Sequence, residues 1–351
     1  MPLLPDQLDD FTTLTLDNFK KKSWVDLSLD NQQHCFASKF LSGKARTPYQ
    51  GGANLNWKVQ TTNTGTAKFS ELYSVDATAV KDLMTTAKVP FTKATVNFSY
   101  DVDEESFQSG RETIIREIDI RRHSAFNDYF ELMEAALWSA PASSSASPRT
   151  PLGIPFWIQK SATTPGGGFT GGDPSGHALG AGNIAVADVP NWKNWSGNYT
   201  SVSRDDLIAK MRKAIAHTYF QAPKQFAELG NGKGDSDWAF YTTYSVIEDM
   251  EKLLESRNDN LGVDLAKYAG SVVVKGNPVI WVPYLDSNDS SNPVYGVNHK
   301  VLQYHYKQGK DMLWHPPQKA ARQHTTREVH MDSWGQFICL NRRRLFCLYV
   351  A

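Results

Sequence analysis

Residues 91–138 read FTKATVNFSYDVDEESFQSGRETIIREIDIRRHSAFNDYFELMEAALW and contain the clearest pattern in the chain. Apolar and polar residues alternate over 96–102, which predicts a strand. Asp103 is suited to cap a helix, and Glu104 and Glu105 follow it where the helix dipole favours anions. Apolar residues then recur at helical spacing as far as Trp138, so the sequence predicts a helix over 104–138, roughly 50 Å long.

The middle of this predicted helix is densely charged, and its basic residues include Arg111, Arg116, Arg121 and Arg122. Two interpretations apply: pairing with acidic residues on a solvent-exposed face, or contacts with other subunits. The usual helix of a globular domain has ~11–12 residues, and the much greater length here favours the second. We therefore treat these four arginines, together with Glu104 and Glu105, as candidate inter-subunit contacts.

The region before residue 103 lacks the apolar content of a self-contained core. Residues 1–46 are mixed and weakly periodic, which is typical of an extended arm. Strand-like alternation occurs over 55–59 and again over 96–102, with a Thr-, Ala- and Lys-rich stretch between. This pattern predicts a projecting two-stranded loop, which is marginally stable alone and needs a partner surface, such as a neighbouring subunit. Its charged residues are further candidate inter-subunit contacts: Lys68, Glu71, Lys81 and Lys88.

Residues 151–285 have the pattern of a second, mixed α/β unit. Ser203 with Asp206, and Ser245 with Glu248, have the spacing of helix capping boxes. Strands are predicted over 238–242, 272–274 and 279–282. From residue 286 the chain is again strand-like, and strands predicted over 337–340 and 345–350 flank a basic turn, which we interpret as solvent-exposed.

Composition argues against several classes of protein. Lys plus Arg and Asp plus Glu both number 37, and this zero formal charge argues against a dedicated nucleic-acid binder. The chain contains no apolar run of about 18 residues, as a membrane helix needs, and its first ten residues do not resemble a signal peptide. We therefore expect a reducing compartment, in which Cys35, Cys339 and Cys347 are packed as free thiols.

No motif in the chain indicates catalysis or cofactor binding. The glycine-rich stretch 166–182 lacks the Lys-Ser/Thr of a phosphate loop, so we interpret it as a mobile surface loop. Five late histidines lack the i,i+3 or i,i+4 spacing of a helical metal site: His299, His305, His315, His324 and His330. We assign no catalytic, cofactor-binding or metal residue and expect a protein that is not an enzyme.

The order of these elements resembles the Hong Kong 97-type fold of tailed-phage major capsid proteins. The clearest local likeness is the alternating strand within 91–110 that passes through acidic residues into the long helix, and Pro151-Leu-Gly-Ile-Pro155 is similar to the family's P-x-G segment. The resemblance covers nearly the whole chain as architecture and implies an α+β fold. The implied parts are an N-terminal arm (1–46), an extended β-hairpin loop (47–103), the spine helix of a peripheral domain (104–150), an axial α/β domain (151–285) and return strands of the peripheral domain (286–351).

The resemblance also implies a function. Such proteins form hexamers and pentamers of an icosahedral shell that encloses double-stranded DNA, which they contact without sequence specificity. The implied partners are a portal, decoration proteins and a separate scaffold, because the arm shows no heptads for a fused coiled-coil scaffold. No cofactor and no membrane is implied, and the protein would assemble in the host cytoplasm and reside in the virion capsid.

Two alternatives remain at this point. An encapsulin-like shell has the same fold but holds cargo enzymes instead of a genome. A cytosolic α/β enzyme, with the stretch 166–182 as an active-site lid, is the more distant alternative.

Overall fold

The computed structural model describes residues 35–41, 45–72, 81–103, 117–161, 166–218, 237–255, 272–321 and 323–350. The α-helices in these ranges are α1 (Glu117–Leu137), α2 (Ile154–Trp157), α3 (Ala209–Thr218), α4 (Tyr244–Glu255) and α5 (Pro283–Asn288). Phe36–Leu41 and Arg204–Ile208 are π-helical, and Arg342–Arg344 forms a 3-10 turn. The strands are β1 (Arg46–Tyr49), β2 (Asn54–Gln60), β3 (Met84–Pro90), β4 (Thr92–Asp101), β5 (Gly168–Gly171), β6 (Asn194–Tyr199), β7 (Trp238–Thr242), β8 (Val273–Val274), β9 (Asn277–Trp281), β10 (Val294–Asn298), β11 (Leu302–Lys307), β12 (Leu313–Trp314), β13 (Gln318–Lys319), β14 (Thr326–Cys339) and β15 (Phe346–Val350).

Three sheets organise the described strands. In the six-stranded sheet, β4 pairs along one side of the long strand β14, while β11, β12 and β13 pair along the other. β1 joins this sheet parallel to β11. The seven-stranded sheet has the order β5-β6-β15-β10-β7-β9-β8, and β15 runs parallel to β6 but antiparallel to β10. β2 and β3 form a separate two-stranded hairpin.

The helix α1 packs on the six-stranded sheet through one apolar stripe. Tyr129, Met133 and Leu137 recur every four residues and are all buried, as expected for one face of a helix. Phe36 reaches the same core from the π-helical segment, with ring centroids 6.4 Å from Tyr129 and 5.2 Å from Tyr304. Each such burial contributes about 1.5–3 kcal/mol to folding. The segment Phe36–Leu41 is therefore part of the core and differs from the extended arm predicted there.

A second core lies between the helices α3 and α4 and the seven-stranded sheet. The first predicted capping box is confirmed in its Ser203 half, because the Ser203 hydroxyl accepts the backbone N–H of Asp206 at 3.1 Å. The Asp206 carboxylate accepts the N–H groups of Thr200 and Ser201 and not that of Ser203. The second is wrong: α4 begins at Tyr244, whose N–H donates to the carboxylate of Asp286 at 2.8 Å. A side chain from a distant segment thus replaces the local cap that the sequence suggested. The buried residues of this core include Leu207, Met211, Ile215, Phe240, Val246, Met250, Phe346 and Leu348.

The long predicted helix is confirmed over its described part. α1 ends at Leu137, one residue before the predicted end, and the Trp138 N–H still donates to the Glu134 carbonyl at 3.2 Å. Residues 104–116 lie outside the described ranges, so the full predicted length stays a prediction.

Before this helix, the Asp101 carboxylate accepts the backbone N–H of Asp103 at 3.1 Å. This hydrogen bond is the main cause that lowers the pKa of Asp101.

The pairing of the projecting loop differs from the prediction. The strand over 55–59 is present as β2, but it pairs with β3 and not with the strand over 96–102. That second strand, β4, lies in the six-stranded sheet against β14. In β3 only Ala87 and Val89 are buried, a pattern too weak to mark a strand in the sequence. The alternation in β4 instead reflects a half-buried sheet strand packed under α1.

The interval 286–351 contributes strands to both large sheets. β10 and β15 belong to the seven-stranded sheet, whereas β11 to β14 belong to the six-stranded sheet. The chain crosses between the sheets at the turn Arg342–Arg344. Strands lie at both predicted positions, but β14 begins at Thr326 and not at residue 337, and β14 and β15 do not pair with each other. The strands of 286–351 therefore do not form the single group of return strands that was expected.

Candidate assembly surface

The hairpin β2–β3 is fixed to the rest of the chain at its root. Leu55, Ala87 and Val89 are buried there, and the Lys88 N–H donates to the Gly182 carbonyl at 2.9 Å. The Trp57 ring lies 6.3 Å from that of Trp157. These contacts fix the direction in which the hairpin projects from the rest of the subunit. An isolated hairpin of this length would be only marginally stable.

The other end of the hairpin projects into solvent. The register runs from Asn54↔Pro90 to Gln60↔Met84, which spans roughly 20 Å at ~3.4 Å per residue. It continues through a hydrogen bond from the Thr61 N–H to the Leu83 carbonyl, 3.0 Å long. Residues 62–72 beyond this point are all exposed. This segment, which we call the hairpin tip, contributes nothing to either large core.

The hairpin tip carries large apolar side chains that its own chain does not bury. Phe69 and Leu72 are 109 % and 90 % exposed, and Met84 at the last paired position is 55 % exposed. Apolar groups clustered on a projection mark an interaction site more often than chance exposure does. The sequence interpretation of this region considered only charged residues and missed Phe69 and Leu72; the available signal was two large apolar residues within a polar stretch.

The predicted contact residues fall into three groups in the structure. Four lie on the hairpin or its tip with exposed side chains: Lys68, Glu71, Lys81 and Lys88. The helix α1 carries Arg121, which donates to the Ser99 carbonyl at 3.1 Å, and Arg122, whose guanidinium lies 5.0 Å from the Trp314 ring centroid. Glu104, Glu105, Arg111 and Arg116 lie outside the described residues. A role in subunit contacts stays a prediction for all ten.

The prediction of a solvent-exposed basic turn is wrong for Arg342, which is buried, while Arg343 and Arg344 are half-buried. Arg342 is 0 % exposed and donates to the carbonyls of Trp157, Trp192 and Gly172 at 2.8–2.9 Å and to the Asn194 amide oxygen at 3.3 Å. Burial lowers the pKa of Arg342 to about 10, which still leaves the guanidinium charged at neutral pH. The sequence could not show this because three adjacent arginines are more often solvated.

The glycine-rich stretch is likewise more constrained than a mobile surface loop. Gly171, Gly180 and Gly182 are buried. A Cβ at Gly171 would lie 1.9 Å from the Asn194 amide oxygen, so this close approach requires glycine. Arg342 binds the neighbouring Gly172 carbonyl. A stretch held in this way is poorly suited to act as an opening lid.

The described residues offer little chemistry of the kind that enzymes use. No group of three His, Cys, Asp or Glu side chains in the described ranges could hold a metal ion. His299 is buried against the Tyr241 hydroxyl at 2.7 Å, and desolvation lowers its pKa to about 4. The three cysteines are free and buried, as predicted, and burial raises the pKa of Cys339 and of Cys347 to about 12. These thiols are therefore unsuited to be nucleophiles.

None of the helices in the part of the chain that the structure describes is both long and apolar enough to cross a membrane.

Comparison with known proteins gives matches at the level of structure alone. No protein-family model matches the sequence, and no curated protein matches it. The capsid asymmetric unit of cyanophage A-1(L) superposes with a TM-score of 0.59 at 13 % identity, covering 93 % of this chain and 96 % of that chain. The capsid of Myoviridae phage XM1 gives a TM-score of 0.54 at 10 % identity, covering 100 % and 99 %.

A third solved structure, from Gordonia phage Cozz, gives a TM-score of 0.52 at 13 % identity and covers 96 % of this chain and 91 % of that chain. At such identities the similarity concerns the fold and not the details of any site. The coverage is nearly complete in both directions, so the likeness extends over both large sheets and α1. The chain has the Hong Kong 97-type fold found in the capsid proteins of tailed phages.

Proposed function

We propose that this protein is the major capsid protein of a tailed phage. Its copies would form hexamers and pentamers of an icosahedral shell around double-stranded DNA. The observation that carries the proposal is the hairpin, whose root is packed into the body while Phe69 and Leu72 at its tip are exposed. Combined with a fold shared with phage capsid proteins, this is the arrangement expected of a subunit that completes its packing only against a neighbour.

The proposal has consequences for partners and location. With equal numbers of acidic and basic residues, the inner surface would contact packaged DNA through scattered charges without sequence specificity. A portal, a separate scaffold and decoration proteins would be its partners. Assembly would take place in the host cytoplasm and end in the virion capsid, and the protein would act as a building block and not as an enzyme.

Assembly of the purified protein tests the proposal. Light scattering with increasing concentration should show a threshold above which particles form, and negative-stain micrographs should then show closed shells or rings. A scaffold protein expressed from the same genome can be added where rings form without closing. Monodisperse monomer at all concentrations and salt conditions, with and without scaffold, would contradict the proposal.

The encapsulin-like alternative shares the fold and differs in what the shell encloses. Nuclease-protected double-stranded DNA in shells isolated from the native source would support the capsid function, and an enclosed enzyme would support the alternative. The enzyme alternative depended on 166–182 acting as a lid. The bond between Arg342 and Gly172 and the burial of Gly171 weigh against that motion.

A further inference from the structure

A cavity of about 160 Å³ lies where the hairpin root, the segment after α1 and the glycine-rich stretch meet. Its apolar floor includes Val89, Leu152 and Phe156, each of which is buried. Leu179 lines the rim and is 67 % exposed. An apolar cavity of ~150 Å³ can hold a benzene molecule. The cavity is therefore the right size for one phenyl ring.

The hairpin tip of the same chain does not fill this cavity. Phe69 is 109 % exposed, so no residue in the described part of the chain covers its ring. The cavity is lined by Lys88, Val89 and Pro90 at the hairpin root, at the opposite end of the β2–β3 ladder from the tip. An occupant with the chemistry of the hairpin tip would have to come from a second copy.

The basic side chains around the cavity can pair with Glu71, one of the two charged residues of the hairpin tip, the other being Lys68. Among its described lining residues, Lys88 and Arg149 are basic and none is Asp or Glu. In the tip, Glu71 lies between the exposed residues Phe69 and Leu72. A tip that inserted Phe69 would bring a carboxylate close to two basic side chains at the rim, where such pairs orient partners more than they add affinity.

We propose that this cavity is the seat for Phe69 from the hairpin tip of a neighbouring copy, with Leu72 against Leu179 and Glu71 beside Lys88 and Arg149. This contact rests on the proposed function, and it names the surface of the subunit that would accept the hairpin tip of its neighbour. Each copy offers one tip and one cavity, so the contact is heterologous. Repeated head-to-tail contacts of this kind close into rings when the rotation between copies permits.

Disulfide trapping tests the contact directly. The double variant F69C/L179C should form a ladder of reductant-sensitive multimers on denaturing gels after mild oxidation of assembled protein. The native cysteines give little background because all three are buried. The matched control is F69C/V273C, since Val273 is 53 % exposed on β8 at the edge of the other sheet, and it should give no ladder beyond dimers formed by F69C alone.

A charge exchange gives a second, independent readout. E71K and R149E should each raise the concentration threshold for assembly, and the double variant should restore it towards the wild-type value. F69A should raise the threshold about tenfold or more, because burial of one phenyl ring is lost at every contact. Circular dichroism and the elution volume of unassembled protein should stay unchanged in all four variants.

The two proposals fail in different ways. Wild-type shells without an F69C/L179C ladder, or without rescue in the charge exchange, would overturn this contact while the proposed function stands. A wild-type protein that never assembles would overturn the function, and the contact with it.

Discussion

Replacing Arg342 with methionine should destabilise the subunit by roughly 3–5 kcal/mol, because buried acceptors left without a donor cost about 1–3 kcal/mol each. Arg342 donates to three backbone carbonyls and one amide oxygen. At about 1.5–3 kcal/mol for each bond to a charged group, the gross stabilisation is roughly 6–12 kcal/mol. Desolvation of the guanidinium offsets several kcal/mol of this sum. Methionine fills similar space but removes the donor from the three carbonyls, whereas the Asn194 amide oxygen still accepts the Gln159 N–H at 2.9 Å.

Arg343 provides the matched control next in the chain. Its guanidinium lies 4.3 Å from the Phe169 ring centroid and donates to the exposed Asn191 amide oxygen at 3.1 Å. Contacts of this kind are worth about 1 kcal/mol or less at exposed sites. Arg343→Met should therefore cost at most about 1 kcal/mol.

Urea unfolding of unassembled subunit, followed by tryptophan fluorescence at low protein concentration, measures both losses by linear extrapolation. Arg342→Lys should recover little of the loss, because one ammonium cannot reach carbonyls from three separate segments as a planar guanidinium does. A free energy of unfolding for Arg342→Met within about 1 kcal/mol of that for Arg343→Met would refute the assignment of Arg342 as the main link between these segments.

Three further predictions concern the tip, a buried histidine and a sheet glycine. Replacing residues 63–81 with Asn-Gly should leave a folded, soluble subunit that forms no shells, because the Thr62 hydroxyl lies 3.3 Å from the Asp82 carbonyl and a tight turn can join the strands there; shells in micrographs would contradict this. For His299 the folded pKa of about 4 lies below the ordinary 6.5, so the unfolded state binds more protons between these values. The free energy of unfolding should therefore fall as pH drops from about 6.5 to about 4, by up to about 3 kcal/mol. Urea unfolding measured at each pH should show a smaller fall for His299→Gln. Gly335→Ala should lower the melting temperature, because its Cβ would lie 1.9 Å from the buried Tyr304 hydroxyl, whereas Gly51→Ala meets nothing within 4 Å and should melt like the wild type.

Patterns that depend on neighbouring residues could be predicted from the sequence. The stripe of α1, its end near Trp138 and the cap at Ser203 all follow from local spacing and local hydrogen bonds. The strand β7 was predicted with the bounds that it has in the structure. In each case the determining interactions lie within one turn or one strand, so a short window of sequence contains them.

Features that depend on distant partners could not be predicted. The alternation in β4 indicated a strand, but its partner β14 lies more than 220 residues away along the chain. The carboxylate that caps α4 comes from Asp286, and the acceptors of Arg342 come from segments up to 185 residues away. For the candidate site, the sequence predicted a projecting two-stranded loop but placed its second strand at 96–102 instead of at β3. The exposure of Phe69 and Leu72 is evident only in the structure.

The position of β15 constrains when the subunit can finish folding during synthesis. β15 lies between β6 and β10, so the strands on its two sides stay unjoined until residues 346–350 have left the ribosome. Chains shortened before this strand would lack the middle of the seven-stranded sheet. A chain whose synthesis stops before β15 would therefore expose the otherwise buried strands β6 and β10 to chaperones and proteases.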